Sequence, residues 1–134
     1  MFADITPVES WEALKNDPNQ VLIDCRAAVE WNLIGVPDLS GIGKRLITVE
    51  WQSLDGQPNP HFVEQISAIL PKDTPIHIIC RVGGRSAAAC QALSAAGYTN
   101  LANITGGFEG QPDAHGHRSA CEGWRFHQLP WVQS

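Results

Sequence analysis

The chain has 134 residues, of which 43% are hydrophobic and 17% charged, with a net charge of -5. That is enough chain for one buried core without disulfide staples, and the balance is globular rather than disordered. No apolar run approaches the ~18 residues of a membrane helix, and the nine basic residues form no stripe, which argues against membrane and nucleic acid as partners. The N-terminal residues carry no basic segment and no long apolar stretch. A signal peptide is therefore not expected, and the expected location is the cytoplasm.

Taken in chain order, Thr6-Pro7-Val8-Glu9 has the form of a helix start, with a capping threonine, a proline suited to the first turn and a glutamate three residues on. Asn16-Asp17-Pro18-Asn19 ends that helix. Val21-Leu22-Ile23 predicts a strand buried on both faces, followed by Asp24-Cys25-Arg26 and a short helix over residues 27–33. Gly35-Val36-Pro37 breaks the helix, and residues 46–49 predict a second strand. After a turn-rich stretch, Asn59-Pro60 resembles a cap and first position, and Phe62, Ile66, Ile69 and Leu70 share one helical face that ends at Pro71. Ile76-His77-Ile78-Ile79 predicts a third strand ending at Cys80, and an alanine-rich helix over residues 86–96 closes at Gly97. Residues 101–104 predict a fourth strand before the Gly106-Gly107 turn. The expectation is one domain over residues 1–134, irregular from about residue 111.

Strands alternating with helices predict an α/β fold with a parallel sheet. Sites in such sheets form at the carboxyl ends of strands, where both Cys80 and Asp24-Cys25-Arg26 fall. Four cysteines without a C-x-x-C pair do not make a disulfide scaffold, a zinc ribbon or a thioredoxin-type site.

The segment Cys80-Arg81-Val82-Gly83-Gly84-Arg85-Ser86 concentrates the chemistry. A strand delivers a cysteine, two glycines let the loop turn inward its N–H groups, and a helix begins. The helix N-terminus and two arginines each favour thiolate over thiol. A thiolate held by amides is a nucleophile, and the same amides suit a persulfide anion. The plainer reading is a buried cysteine in an ordinary turn.

These residues resemble the rhodanese-like family, and the resemblance covers nearly the whole chain. Asp24-x-Arg26 resembles its first motif, Cys80-Arg81-x-Gly83-x-Arg85-Ser86 its active-site loop, Gly97-Tyr98 through Thr105-Gly106-Gly107-Phe108 its late strand and turn, and Gly123-Trp124 with Leu129-Pro130-Trp131 its closing segment. It implies a central, mostly parallel sheet with helices on both faces. It also implies a thiosulfate sulfurtransferase in which Cys80 carries sulfur as a persulfide, with no cofactor and no metal. Arg81, Val82, Gly83, Gly84 and Arg85 would bind the donor, and Asp24, Arg26 and Ser86 would support the site. The donor would be a small sulfur anion, and the acceptor a thiol, cyanide or a sulfur-accepting protein. In the last case the chain would be a relay module. Two departures are visible: Gly35-Val36-Pro37-Asp38 lacks the histidine of the usual Gly-His-Ile-Pro-Gly-Ala, and residues 111–122 lengthen the interval before Trp124.

Cysteine phosphatases are the enzymatic rival. Their Cys-x5-Arg loop makes a larger ring of donors than the Cys-x4-Arg of Cys80 and Arg85, and Ile79 stands where their histidine precedes the cysteine. Charged Arg81 and Arg85 favour thiosulfate over 3-mercaptopyruvate. Cys90 is expected to be structural, and so is Cys25, although Cys25 could resolve a persulfide from its position at the same sheet end. His115, His117 and Cys121 match no strong zinc spacing. Trp31, Trp51, Trp124 and Trp131 are expected to anchor the core and tail.

Overall fold

A computed structural model of the chain describes residues 2–119 and 121–133. Five parallel strands form the central sheet: β1 (Ala3–Ile5), β2 (Val21–Asp24), β4 (Ile47–Thr48), β5 (Ile76–Ile79) and β6 (Leu101–Ile104), in the order β1-β6-β5-β2-β4. Helices α1 (Pro7–Asn16), α2 (Ala28–Ile34), α3 (Phe62–Ser67) and α4 (Gly84–Ala95) surround it. The fully buried strands β5 and β6 read Ile-His-Ile-Ile and Leu-Ala-Asn-Ile. A central parallel strand is covered on both faces, which explains the near-continuous apolar runs.

Alternate strand residues split between two apolar layers. Ile23, Ile76 and Ile78 meet Phe62 and Ile66 of α3 and Ala89, Cys90 and Leu93 of α4. On the opposite face Leu22, Ile79 and Ile104 meet Leu14 of α1 together with Phe108, Trp124 and Leu129 from the C-terminal segment. Thr6 caps α1 with the reciprocal bonds expected: its hydroxyl accepts from Glu9 N–H at 3.1 Å, and Glu9 Oε1 accepts from Thr6 N–H at 2.9 Å.

Three short strands were not expected. β1 lies on the sheet edge with Ala3 and Asp4 exposed. β3 (Val36–Pro37) and β7 (Trp131–Val132) pair antiparallel across most of the chain. Asn59 does not cap α3, which starts at Phe62; its side chain instead donates to Glu50 O and Gln65 Oε1 and accepts from His61 N–H. Between residues 111 and 130 the described residues form no helix or strand. Trp124 is fully buried, and its indole donates to Pro130 O at 2.7 Å. No helix among the described residues is long and apolar enough to cross a membrane.

Candidate active site

Cys80 follows the central strand β5 and is 1% exposed. The chain then turns through Gly83, whose φ of 117° suits glycine, into α4. This turn brings Gly83 N–H to within 3.1 Å of Cys80 Sγ and the Ser86 hydroxyl to the same distance. The single Ser86 proton also faces Gly83 O at 3.2 Å and Asn103 Oδ1. Asn103, on β6, is fixed in turn by donating to Asp4 Oδ1 at 3.1 Å.

The Cys80 thiol is held down to about 5 from an ordinary value of 9.0. Its chief cause is a hydrogen bond from Cys25; burial opposes it, and the Ser86 hydroxyl with the Ser86 and Gly83 amides adds to the lowering. The partner thiol moves the other way, since burial pushes Cys25 well above its ordinary value. Within the pair the negative charge is favoured on Cys80, where the Gly83 amide and the Ser86 hydroxyl lie at 3.1 Å, and the proton on the buried Cys25.

The two loop arginines do not face the sulfur as free cations. Arg85 makes a two-point pair with Glu30 of α2, at 2.6 and 3.1 Å. Arg81 pairs with Glu109 at 2.8 Å, and its side chain remains 44% exposed. Glu30 and Glu109 line one cleft with Arg81, Val29, Leu33, Ile34 and Leu54. The sequence reading missed both glutamates. Glu30 was legible only as a residue of the α2 capping turn, where it accepts from Ala27 N–H, and Glu109 as the residue after the Gly-Gly-Phe turn.

Asp24 and Arg26 form a fully buried ion pair, with 2.7 Å between Arg26 Nη2 and Asp24 Oδ2. Arg26 also donates to Gly35 O at 2.6 Å and lies 4.4 Å from the Phe108 ring centre. It thereby ties the end of β2 to the start of β3 and to the turn below Cys80. Val82 and Gly84 lie in the loop and at the helix start and make no described bond to the sulfur.

The turn after β6 clamps the loop from below. Phe108 N–H donates to Cys80 O at 2.8 Å, and Glu109 N–H to Arg81 O at 3.0 Å. Gly107, at φ 57°, sits so close that a Cβ there would lie 2.5 Å from Cys80 O. The sequence showed the Gly-Gly turn but not what it presses against.

Comparison with known proteins places this geometry among relatives. The family model described as the STR4 middle domain matches residues 4–134. The crystal structure of Rv0390 from M. tuberculosis superposes with a TM-score of 0.93 at 43% identity, each chain covered in full (100%). RP600 of Rickettsia prowazekii is 31% identical over 133 residues, 98% of either chain. Rhodanese-like domain-containing protein 4, chloroplastic, of Arabidopsis thaliana is 25% identical over 126 residues, which cover 92% of this chain and 24% of that protein.

Proposed function

This chain belongs to the rhodanese-like family, a sulfurtransferase-type or sulfur-relay domain matched as an STR4 middle domain, and on that footing we propose that it is a sulfurtransferase in which Cys80 carries sulfane sulfur. The observation that carries this reading is the setting of Cys80, whose sulfur heads a six-residue loop with an amide and a hydroxyl at 3.1 Å.

The reaction is a two-step exchange. Cys80 Sγ attacks the outer sulfur of thiosulfate, the S–S bond of the donor breaks, and sulfite leaves with the bonding pair. The outer sulfur of the resulting persulfide takes the negative charge. A thiolate acceptor, or cyanide in the assay, then attacks that outer sulfur and restores the Cys80 thiolate. Gly83 N–H and the Ser86 hydroxyl support the anion at each stage. Arg81 is the residue suited to the sulfonate end of the donor, because it is half-exposed on the cleft wall. Arg85, engaged with Glu30, holds the loop against α2. A dianionic donor has to compete with Glu109 for Arg81, so the charge preference rests on one arginine rather than two. Val82, Gly83 and Gly84 shape the loop, and Asp24, Arg26 and Ser86 support it.

One observation favours a protein acceptor. Leu33 and Leu54, 66% and 67% exposed, rim the cleft beside Arg81. Exposed apolar side chains beside the cleft that Arg81 lines suit a partner surface better than a small anion. In that reading the sulfur passes to a sulfur-accepting protein docked over the cleft, and the chain is a relay.

Turnover with thiosulfate and with 3-mercaptopyruvate, measured side by side with cyanide as acceptor, tests the donor. Thiosulfate is expected to be the better substrate, and Arg81→Ala is expected to raise KM for thiosulfate while leaving KM for mercaptopyruvate nearly unchanged. Equal KM changes for both donors would remove Arg81 from sulfonate recognition.

A further inference from the structure

Cys25 and Cys80 are brought together by strand register. In the parallel pair β2·β5, Ile23 lies opposite Ile78 and Asp24 opposite Ile79. The next residues in each strand direction are Cys25 and Cys80, and Cys25 N–H still donates to Ile79 O at 3.0 Å. Neighbouring strands lie about 4.8 Å apart, inside the ~4.4–6.8 Å Cα separation that a disulfide spans. Both side chains enter the same apolar layer, against Ala89 and Cys90 of α4, so they lie on one face of the sheet. Both are free, buried thiols. Each residue stands just past the end of its strand.

We infer that Cys25 is a resolving thiol, which attacks the Cys80 persulfide at its inner sulfur, releases hydrosulfide and leaves a Cys25–Cys80 disulfide. The inference rests on the sulfur-carrier reading and extends it.

The approach is suitable. Cys25 lies beside Cys80 on the β2 side, whereas Gly83 N–H and the Ser86 hydroxyl contact the Cys80 sulfur from the loop and α4. The outer sulfur of a persulfide held by the loop is therefore the leaving group, and the inner sulfur is the atom on the Cys25 side. A new bond forms between the two Sγ atoms, and the bond from Cys80 Sγ to the outer sulfur breaks. The outer sulfur leaves with that electron pair and takes the Cys25 proton, so it departs as hydrosulfide. The sulfane sulfur is reduced to sulfide, the two cysteine sulfurs are oxidised to a disulfide, and no outside oxidant is needed. A thiol or dithiol reductant then reopens the disulfide by exchange and restores both cysteines.

The full burial of Cys25 separates the two fates of the persulfide. Before sulfur is loaded, Cys25 has no sulfur–sulfur bond to attack. Once sulfur is loaded, an acceptor at the mouth competes with Cys25 from within. When acceptor is abundant the outer sulfur is transferred. When it is scarce the sulfur leaves as hydrosulfide and the nucleophile is stored as a disulfide.

The test is a single loading without acceptor. Reduced protein is treated anaerobically with thiosulfate or, separately, inorganic polysulfide, then freed of donor and followed by intact mass and by sulfide release. The parent protein is expected to lose its added sulfur, release about one equivalent of hydrosulfide, and yield a Cys25–Cys80 disulfide peptide, two hydrogens lighter than the reduced pair. Cys25→Ser and the apolar Cys25→Val are expected to keep the persulfide at least about ten-fold longer and to release little sulfide until a thiol is added. A persulfide equally lasting in parent and variants, or a disulfide between Cys80 and Cys90, overturns the resolving role and leaves the carrier intact. Failure of the parent and both variants to gain sulfur from either donor overturns the carrier reading and this inference with it. The disulfide peptide is read on the parent protein, so the result does not depend on the variants folding.

Discussion

The Arg85 guanidinium spans both carboxylate oxygens of Glu30, at 2.6 and 3.1 Å. The pair joins the first turn of α4 to the first turn of α2. Two-point pairing of this kind fixes orientation as well as charge. Arg85 is therefore chiefly a brace for the loop.

Cutting the brace separates its two effects. Glu30→Gln keeps an acceptor for Ala27 N–H but removes the charge that Arg85 answers. Hydrogen bonds to charged groups contribute about 1.5–3 kcal/mol, so a loss of roughly 1–2 kcal/mol is expected in denaturant melts. The freed guanidinium should lower KM for thiosulfate several-fold. A variant that melts like the parent and binds thiosulfate no better would show that the pair neither braces the loop nor withholds Arg85 from the donor.

The sulfur should titrate far below a free cysteine. Cys80 is held to about 5, so thiolate absorbance should be retained down to that region and lost as pH falls through it. Ser86→Ala deletes one of the groups that favour the thiolate and moves the inflection up. The resulting rate deficit is largest at acid pH and shrinks as pH rises past the new value. A parent inflection near the ordinary 9.0 would contradict the electrostatics described for the loop.

Gly107 offers a steric test. A Cβ there would lie 2.5 Å from Cys80 O and 2.6 Å from Arg81 C and O, at φ 57°. Gly107→Ala must displace the loop backbone or the turn, and a loss of more than about 2 kcal/mol with collapse of turnover is expected. Gly56, at φ 88°, has open space around its Cβ position, so Gly56→Ala should cost only about 1 kcal/mol of backbone strain and leave turnover intact. Equal effects of the two changes in melting and activity would refute the clamp.

Stability should fall with acid through His77. This residue, buried on β5 and paired with Ser10 at 2.7 Å, is lowered from 6.5 to about 4, first by burial and then by Lys44. The unfolded chain then takes up the proton before the folded one. Stability contributed by neutral His77 is complete above about 6.5 and drains away as pH falls towards 4, by on the order of 3 kcal/mol in total. His77→Gln should flatten the slope of stability against pH across that window. An unchanged slope would assign it to other groups.

The parts of this structure legible in the sequence are those written in local pattern. Ile76-His77-Ile78-Ile79 announces a buried strand, Thr6-Pro7-Val8-Glu9 a capped helix, and Cys80 to Ser86 a strand–loop–helix turn that starts at a cysteine. The illegible parts are those decided by tertiary meetings. Ala3-Asp4-Ile5 has no strand signal because two of its three residues face solvent on an edge. Trp131–Val132 becomes a strand only by meeting Val36–Pro37. Arg81 and Arg85 showed their charge in the sequence, but Glu109 and Glu30 answer them from other elements. Cys25 was visible as a thiol at the right end of the sheet; its place beside Cys80 depends on β2 lying beside β5 in register.

Sulfur loading on Cys80 tests the carrier role most directly. The protein is treated with thiosulfate, digested without reductant and mapped, and a second portion receives cyanide. A persulfide one sulfur atom heavier on the Cys80 peptide, or its Cys25–Cys80 disulfide successor with released sulfide, is expected in the first portion. Thiocyanate is expected in the second, and both signals should vanish in Cys80→Ser. Thiocyanate formed as readily by Cys80→Ser, or no sulfur acquired by the parent protein, would contradict the role assigned to Cys80.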